Sequence, residues 1–120
     1  MPHDSVITQQ AIEDLRALSP DAGGEFLREL IEIYLQDIPE RIGELELALA
    51  SGDPILLTRA AHTIKGSSSN FGAVRLSKVA HEIEMHGKAG DLAAAGAARD
   101  RLKAEFALVA AELQKIAQLA

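Results

Sequence analysis

The most informative stretch of this chain is A-A-H-T-I-K-G-S-S-S-N-F-G-A, residues 60–73. At about 100° per residue on a helix, Lys65 and Gly66 fall on either side of His62 and form one patch with it. The small and apolar positions fall on the opposite side of the same helix: Leu57, Ala60, Ile64, Ser67, Ser68 and Phe71. We therefore predict a helix whose core-facing stripe lies opposite the histidine, with His62 facing solvent.

The residues around His62 suit a side chain that carries a phosphoryl group. Imidazole is largely neutral near pH 7 and is therefore nucleophilic. Lys65, one turn away, can screen the negative charge of a phosphorylated imidazole. Glycine costs about 1 kcal/mol in a helix interior, so Gly66 needs a reason, and space for a partner's active site over His62 is a good one. Ser67 and Ser68, on the core side, are interpreted as small residues that allow close helix approach and not as nucleophiles.

Residues 62–73, H-T-I-K-G-S-S-S-N-F-G-A, resemble the H-x-L-K-G-S-S-x-x-x-G-A signature of histidine-containing phosphotransfer (HPt) domains of bacterial and plant phosphorelays. Ile64 stands where that signature has leucine. Two flanking runs are also similar to the family: L-A-S-G-D-P at 49–54 to the entry of its histidine helix, and I-E-M-H-G-K-A-G-D at 83–91 to its L-E-x-x-x-x-x-G-D turn. In length and element order the resemblance extends from about residue 8 to the C-terminus.

The resemblance implies that His62 accepts a phosphoryl group from a receiver-domain aspartyl phosphate and passes it to another receiver aspartate. Lys65 then screens the phosphoryl charge, and Gly66, Ser69 and Glu84 are supporting residues. The resemblance also implies that the receiver brings the magnesium ion, so this chain needs no cofactor of its own. No Gly-rich nucleotide loop of the P-loop or kinase type occurs, which predicts no autonomous kinase activity.

The alternative function, from a different class, is a non-catalytic helical adaptor that binds receiver domains without accepting phosphate. An adaptor has no need to keep both His62 and Lys65, so the intact pair argues against it. Ile55 lies two turns before His62 on the same face and has two interpretations. It either packs under the N-terminal helix or belongs to an exposed docking patch, for which Thr58 and Arg59 are further candidates.

The segment His81–His86, H-E-I-E-M-H, matches two other motifs only superficially. A helical zinc protease motif needs histidines at i and i+4, whereas these lie at i and i+5, about 140° apart. The phosphoacceptor box of histidine kinases continues to Thr or Asn and then Pro, whereas Glu84 and Met85 follow here. Glu84 itself is either an exposed helix charge or, as the HPt resemblance implies, a polar residue close to the phosphoacceptor. Lys88 is a weaker candidate for adding charge to the site.

Composition excludes several classes of protein. The chain has no cysteine, which removes disulfides, thiolate catalysis and cysteine-based zinc sites. It also lacks the Glu-x-x-His pattern of di-iron bundles, so we predict no metal site. The net charge of −6 argues against a nucleic-acid partner, and no apolar run approaches the roughly 18 residues of a membrane span. The N-terminus has no basic region followed by an apolar segment, so we predict no signal peptide. We expect a cytoplasmic protein that is monomeric.

All periodic segments of the chain are helical. A short helix is predicted over 8–18 with Thr8 as N-cap, then a linker at S-P-D-A-G-G, residues 19–24. A long helix follows over 25–50, in which Pro39 is expected to produce a kink. We predict one domain over 1–120, with residues 1–7 flexible.

Turn residues place the remaining boundaries. Gly52 ends the long helix, Asp53 is the N-cap of the next and Pro54 its first residue. The histidine helix is predicted to run to about Phe71 and to stop at Gly72. A fourth helix ends near residue 87, and a long last helix starts after an N-cap at residue 91. Long amphipathic helices with short loops predict an all-α fold, an antiparallel up-down-up-down four-helix bundle with a short additional N-terminal helix.

Overall fold

The computed structural model describes residues 5–18 and 24–119, so the predicted linker at 19–24 lies outside them except for Gly24. Within the described residues, five α-helices follow one another: α1 Gln9–Ala17, α2 Glu25–Ser51, α3 Pro54–Ser69, α4 Val74–Lys88 and α5 Leu92–Leu119. Helices α2 to α5 pack as a bundle in which each neighbours the next and α5 returns to α2, while α1 packs on α2. The predicted four-helix bundle with an additional N-terminal helix is confirmed.

Side chains cap three helix starts, as predicted. Thr8 Oγ1 accepts a hydrogen bond from the Ala11 backbone N–H at 3.3 Å at the start of α1. Asp53 accepts from the Leu56 N–H at 3.1 Å, and Pro54 occupies the first turn of α3, where a missing N–H has no cost. At the start of α5, Asp91 accepts from the Ala94 N–H at 3.0 Å. Each cap satisfies a backbone donor that has no partner inside its own helix.

Helix α2 runs through Pro39 without a break, so the proline does not divide it. It ends at Gly52, which adopts a left-handed φ of 72° that glycine tolerates without a Cβ clash. Helix α3 ends at Ser69, two residues earlier than predicted, because the backbone there forms a tighter turn with a hydrogen bond to the third preceding residue. The Phe71 N–H donates to the Ser68 carbonyl at 3.2 Å, and Gly72 then turns with a φ of 67°.

Helix α1 is attached to the turn between α3 and α4. The Thr8 N–H donates to the Gly72 carbonyl at 3.2 Å, and a Cβ on Gly72 would overlap the Thr8 hydroxyl. Val6 and Ile7, which fall in the predicted flexible segment, pack against the core, and residues 1–4 lie outside the described part. Because this turn follows the C-terminal end of α3, α1 covers the end of the bundle that lies away from Ile55.

One apolar core runs through the bundle. Its largest fully buried apolar side chains are Leu27, Ile31, Ile38, Leu45, Leu57, Ile64, Leu76, Ile83, Leu102, Val109 and Leu113. A polar pair lies within it: the Tyr34 and Ser68 hydroxyls are hydrogen-bonded at 2.7 Å, and burial raises the Tyr34 pKa to about 12. Ser68 is fully buried and Ser67 half-buried, so the predicted core side of α3 is confirmed. Within residues 5–18 and 24–119, no helix combines the length and apolar character that crossing a membrane requires.

Candidate functional site

Helices α3 and α4 together build the site around His62. His62 projects from α3 with 66% of its side chain exposed, as its position opposite the core stripe predicts. Its Nδ1 lies 2.8 Å from Oε2 of Glu84, which comes from α4. An exposed imidazole thus rests on a carboxylate of the neighbouring helix.

Glu84 is buried, with only 3% of its surface exposed, so its interpretation as an exposed helix charge is wrong. The reason lies one turn further along α4, at Gly87. A Cβ on Gly87 would overlap the Thr58 hydroxyl and lie 3.3 Å from the Thr58 backbone nitrogen. The absence of a side chain at Gly87 lets α4 approach α3 closely, and this approach places the Glu84 carboxylate beneath His62.

Four cationic or titratable side chains surround the Glu84 carboxylate. Lys65 Nζ lies 2.7 Å from Oε1, and His81 Nδ1 lies 3.7 Å from the same oxygen. Lys88 Nζ lies 3.6 Å from Oε2, the oxygen that His62 contacts. Burial alone would raise the pKa of Glu84, but Lys65 and His62 outweigh burial and hold that pKa at about 2. The carboxylate is therefore ionised at neutral pH.

The ionised carboxylate fixes the tautomer of His62. A carboxylate can only accept hydrogen bonds, so the proton between the two groups belongs to Nδ1, which donates to Glu84. In a neutral imidazole that carries its proton on Nδ1, the lone pair is on Nε2. The arrangement therefore presents Nε2 of His62 as the nucleophilic atom.

Gly66 leaves open space beside His62. A Cβ built on Gly66 would meet no other atom within 4 Å, so nothing in the packing of the described residues requires glycine there. Ser69, one turn beyond Lys65, has a backbone role: its hydroxyl donates to the Lys65 carbonyl at 2.9 Å and lies 3.1 Å from the Ser77 hydroxyl of α4. Ser69 therefore helps to join α3 to α4 next to Lys65, and no hydrogen bond links it to His62 within the described part of the chain.

The three docking candidates lie along α3 on the same side as His62. Ile55 is 71% exposed, and α1 packs at the other end of α3, so the described part of the N-terminal segment does not cover it. Thr58 is half-buried, donates to the Pro54 carbonyl at 2.7 Å and faces Gly87. Together with Arg59, these residues line a shallow groove that also contains His62, Glu84 and Lys88.

The site contains a histidine that the motif spacing did not reveal. His81 and His86 cannot share a metal ion, and among the residues that the structure describes no cluster of His, Asp and Glu could hold one. His81 nevertheless belongs to the surroundings of His62 through its proximity to Glu84. The signal that could have found it is the i, i+3 spacing of His81 and Glu84, which places both on one face of α4.

Comparison with known proteins identifies relatives over most of the chain. Residues 29–118 match the family model described as the Hpt domain. The chain is 33% identical over 87 residues to the phosphorelay protein LuxU of Vibrio harveyi, an alignment that covers 72% of this chain and 74% of LuxU. Its structure matches that of histidine-containing phosphotransfer protein B of Pseudomonas aeruginosa with a TM-score of 0.89 at 30% identity, covering 98% and 99% of the two chains. A histidine-containing phosphotransfer protein of Medicago truncatula has the same fold, with a TM-score of 0.77 at 20% identity over 95% and 82% of the chains.

Proposed function

We propose that His62 is the phosphoacceptor of this chain, which belongs to the Hpt domain family and is a histidine phosphotransfer protein of phosphorelays. The observation that carries the proposal is the hydrogen bond from His62 Nδ1 to the buried Glu84 carboxylate. It leaves Nε2 with its lone pair on the exposed side of an imidazole that is held in one orientation. An exposed, oriented nucleophile on a bundle face is what transfer between proteins requires.

In the forward step, the Nε2 lone pair attacks the phosphorus of an aspartyl phosphate on a receiver domain. The N–P bond forms as the P–O bond to the aspartate breaks, and the bonding electrons leave with the aspartate as a carboxylate. The Nδ1 proton stays in place, so the imidazole ring acquires positive charge, which the Glu84 carboxylate stabilises at 2.8 Å. In the return step a receiver aspartate attacks the phosphoryl group, and the neutral imidazole of His62 leaves.

Lys65 supplies the charge screening. Its ammonium lies 2.7 Å from Glu84 and only one helical turn from His62. His62, His81 and Lys88 also lie within 4.0 Å of the Glu84 carboxylate. The Lys65 ammonium can therefore turn from Glu84 towards the phosphoryl oxygens without leaving a buried anion unpaired. Lys65 therefore acts on the charge of the phosphoryl group and takes no part in the covalent bond.

The partners are receiver domains, whose active site closes over His62 through the space at Gly66. Exposed Ile55 and the groove beside it supply the docking surface, with Thr58 and Arg59 on its wall. The magnesium ion belongs to the receiver, and this chain supplies the nucleophile, the screening charge and the docking surface.

A transfer assay tests the assignment. Incubation with a phosphorylated receiver should place an acid-labile, base-stable label on the wild-type chain and on His81→Gln, but none on His62→Gln. Because His62 faces solvent and a glutamine amide can donate to the Glu84 carboxylate in place of Nδ1, His62→Gln should keep its helix content and melting temperature nearly unchanged. The wild-type chain with ATP and magnesium alone should stay unlabelled. Label on His62→Gln would disprove the assignment, and a wild-type chain that binds receivers but never takes label would indicate the adaptor function.

A further inference from the structure

The charge of this chain is divided unevenly between its faces. Residues 54–88, which form α3, α4 and their turn, contain five Lys or Arg and two Glu. The remainder of the chain contains seven Lys or Arg and sixteen Asp or Glu. A protein with a net charge of −6 thus has its acceptor histidine on a helix pair whose cationic side chains outnumber its carboxylates.

Both glutamates of that helix pair are already engaged. Glu84 is buried under His62 and surrounded by cations. Glu82 pairs with Arg101 of α5 and therefore faces the neighbouring helix. Glu82 is therefore directed away from the groove beside His62, and the single buried Glu84 carboxylate is shared among Lys65, Lys88 and His62, so it leaves a net positive charge around the groove.

Two cationic side chains of that groove, Arg59 and Lys88, are available for a contact with a partner. Four arginines of this acidic chain lie against carboxylates: Arg41, Arg75, Arg99 and Arg101. In contrast, no carboxylate within the described residues lies within 4.0 Å of the exposed Arg59 guanidinium. Lys88 has only a 3.6 Å approach to the Glu84 oxygen that already binds His62, and its side chain is 58% exposed. Arg59 and Lys88 line the same groove as Ile55.

We propose that Arg59 and Lys88 bind carboxylate side chains of the receiver beside Ile55, and so select receivers with an acidic surface next to the phosphoacceptor aspartate. The inference rests on the proposed function and adds the chemistry by which a receiver is recognised. An arginine guanidinium and a lysine ammonium on one groove wall suit two or more carboxylates. Exposed charges at the rim of an interface act mainly on the association rate and on its salt dependence.

The test compares two double charge reversals that change the net charge equally. Arg59→Glu with Lys88→Glu alters the groove, whereas Lys103→Glu with Lys115→Glu alters α5, which packs against α2 and α4. At low salt, the groove variant should show a second-order rate constant for transfer at least about tenfold below that of the wild type. The deficit should shrink as salt rises towards 1 M, where the screening length is about 3 Å. The α5 variant should stay within about twofold of the wild type.

Calorimetric titration with the unphosphorylated receiver provides a readout that needs no transfer, and affinity should fall for the groove variant alone.

Labelling of His62 by phosphoramidate, a small donor that needs no docking, separates this inference from the proposed function. If phosphoramidate labels the groove variant and its receiver affinity is unchanged, the carboxylate contact is wrong while the phosphoacceptor assignment stands. If transfer rate and receiver affinity fall equally in both double variants, the effect comes from net charge in general and the local contact is wrong. Replacing acidic residues of the receiver by lysine should restore transfer to the groove variant, and failure of every such exchange would overturn the proposal.

Discussion

At the scale of single residues, the site depends on Glu84, a carboxylate that is buried yet ionised. Burial alone would favour its neutral form, but its contacts with Lys65 and His62 favour the charged form more strongly. The result is an acceptor-only group under the imidazole, which determines both the tautomer of His62 and the resting position of the Lys65 ammonium.

This balance predicts a pH dependence of stability that Glu84→Gln should remove. The folded-state pKa of Glu84 is lowered from 4.5 to about 2, so its ionisation stabilises the fold above pH 4.5 and that contribution is lost as the pH falls towards 2. Over this window the free energy of unfolding of the wild type should fall by about 3 kcal/mol more than that of Glu84→Gln. Urea denaturation at a series of pH values measures the difference, and parallel pH profiles would contradict it.

A second residue-scale prediction concerns Lys65→Ala. The substitution removes a charge near the phosphoryl group and leaves the nucleophile in place, so transfer from a phosphorylated receiver should slow by about 10- to 100-fold without stopping. Rapid-quench kinetics gives the rate, and receiver affinity measured in parallel should change little. Transfer at the wild-type rate would mean that the ammonium serves only Glu84.

At the scale of helices, two glycines have opposite roles in the α3–α4 pair. Gly87 is required by packing, because a Cβ there would overlap Thr58 of α3. Gly66 is not, because a Cβ there would meet only open space. The glycine at position 66 therefore lowers the helix propensity of α3 without any benefit to the fold of the described chain, which directs its explanation to a partner.

Gly66→Ala tests that explanation. Alanine should raise the free energy of unfolding by up to about 1 kcal/mol through helix propensity alone, while a methyl group beside His62 should slow transfer from a receiver. Gly43→Ala is a matched control, because Gly43 is also an exposed helical glycine whose added Cβ meets nothing within 4 Å. Both variants should be stabilised, but only Gly66→Ala should slow transfer in a receiver assay. Equal transfer rates would show that the space at Gly66 is not used.

At the scale of the whole molecule, the two ends of α3 have different surroundings. At the C-terminal end, α1 packs on the α3–α4 turn through Thr8 and Gly72. At the N-terminal end, Ile55 stays exposed next to the basic groove. The placement of α1 thus leaves the His62 face open, and the end of the bundle that α1 covers is separate from the face proposed to meet a receiver.

Ile55→Asp is expected to weaken receiver binding without destabilising the fold. The side chain is 71% exposed, and an acidic residue in the first turn of α3 interacts favourably with the helix dipole. Receiver affinity should fall by roughly tenfold, whereas the melting temperature and the phosphoramidate labelling of His62 should not decrease. Leu47→Asp, at another exposed apolar residue on α2, serves as the control for affinity. A lower melting temperature with normal receiver affinity would show that Ile55 contributes to the fold instead.

The sequence by itself determined the helices, their caps and the exposed position of His62, because these depend on neighbours within one or two turns. Thr8, Asp53 and Asp91 cap helices through bonds that span three residues, and a helical wheel places His62 opposite the core stripe. The same local patterns, together with the motif at residues 62–73, indicated the four-helix bundle.

Only the tertiary structure decided the burial and ionisation of Glu84, the position of His81 near it and the exposure of Ile55. Periodicity places Glu84 on α4 but cannot say how closely α4 approaches α3, and that distance depends on the contact of Gly87 with Thr58. The exposure of Ile55 depends on which end of the bundle α1 covers. The backbone hydrogen bond between Thr8 and Gly72 joins α1 to the end that lies away from Ile55. The ionisation of the buried Glu84 carboxylate likewise depends on two side chains of α3, Lys65 and His62, which lie 19 and 22 residues before it in the chain. Such contacts join residues that no local pattern connects, so they exist only once the helices have packed.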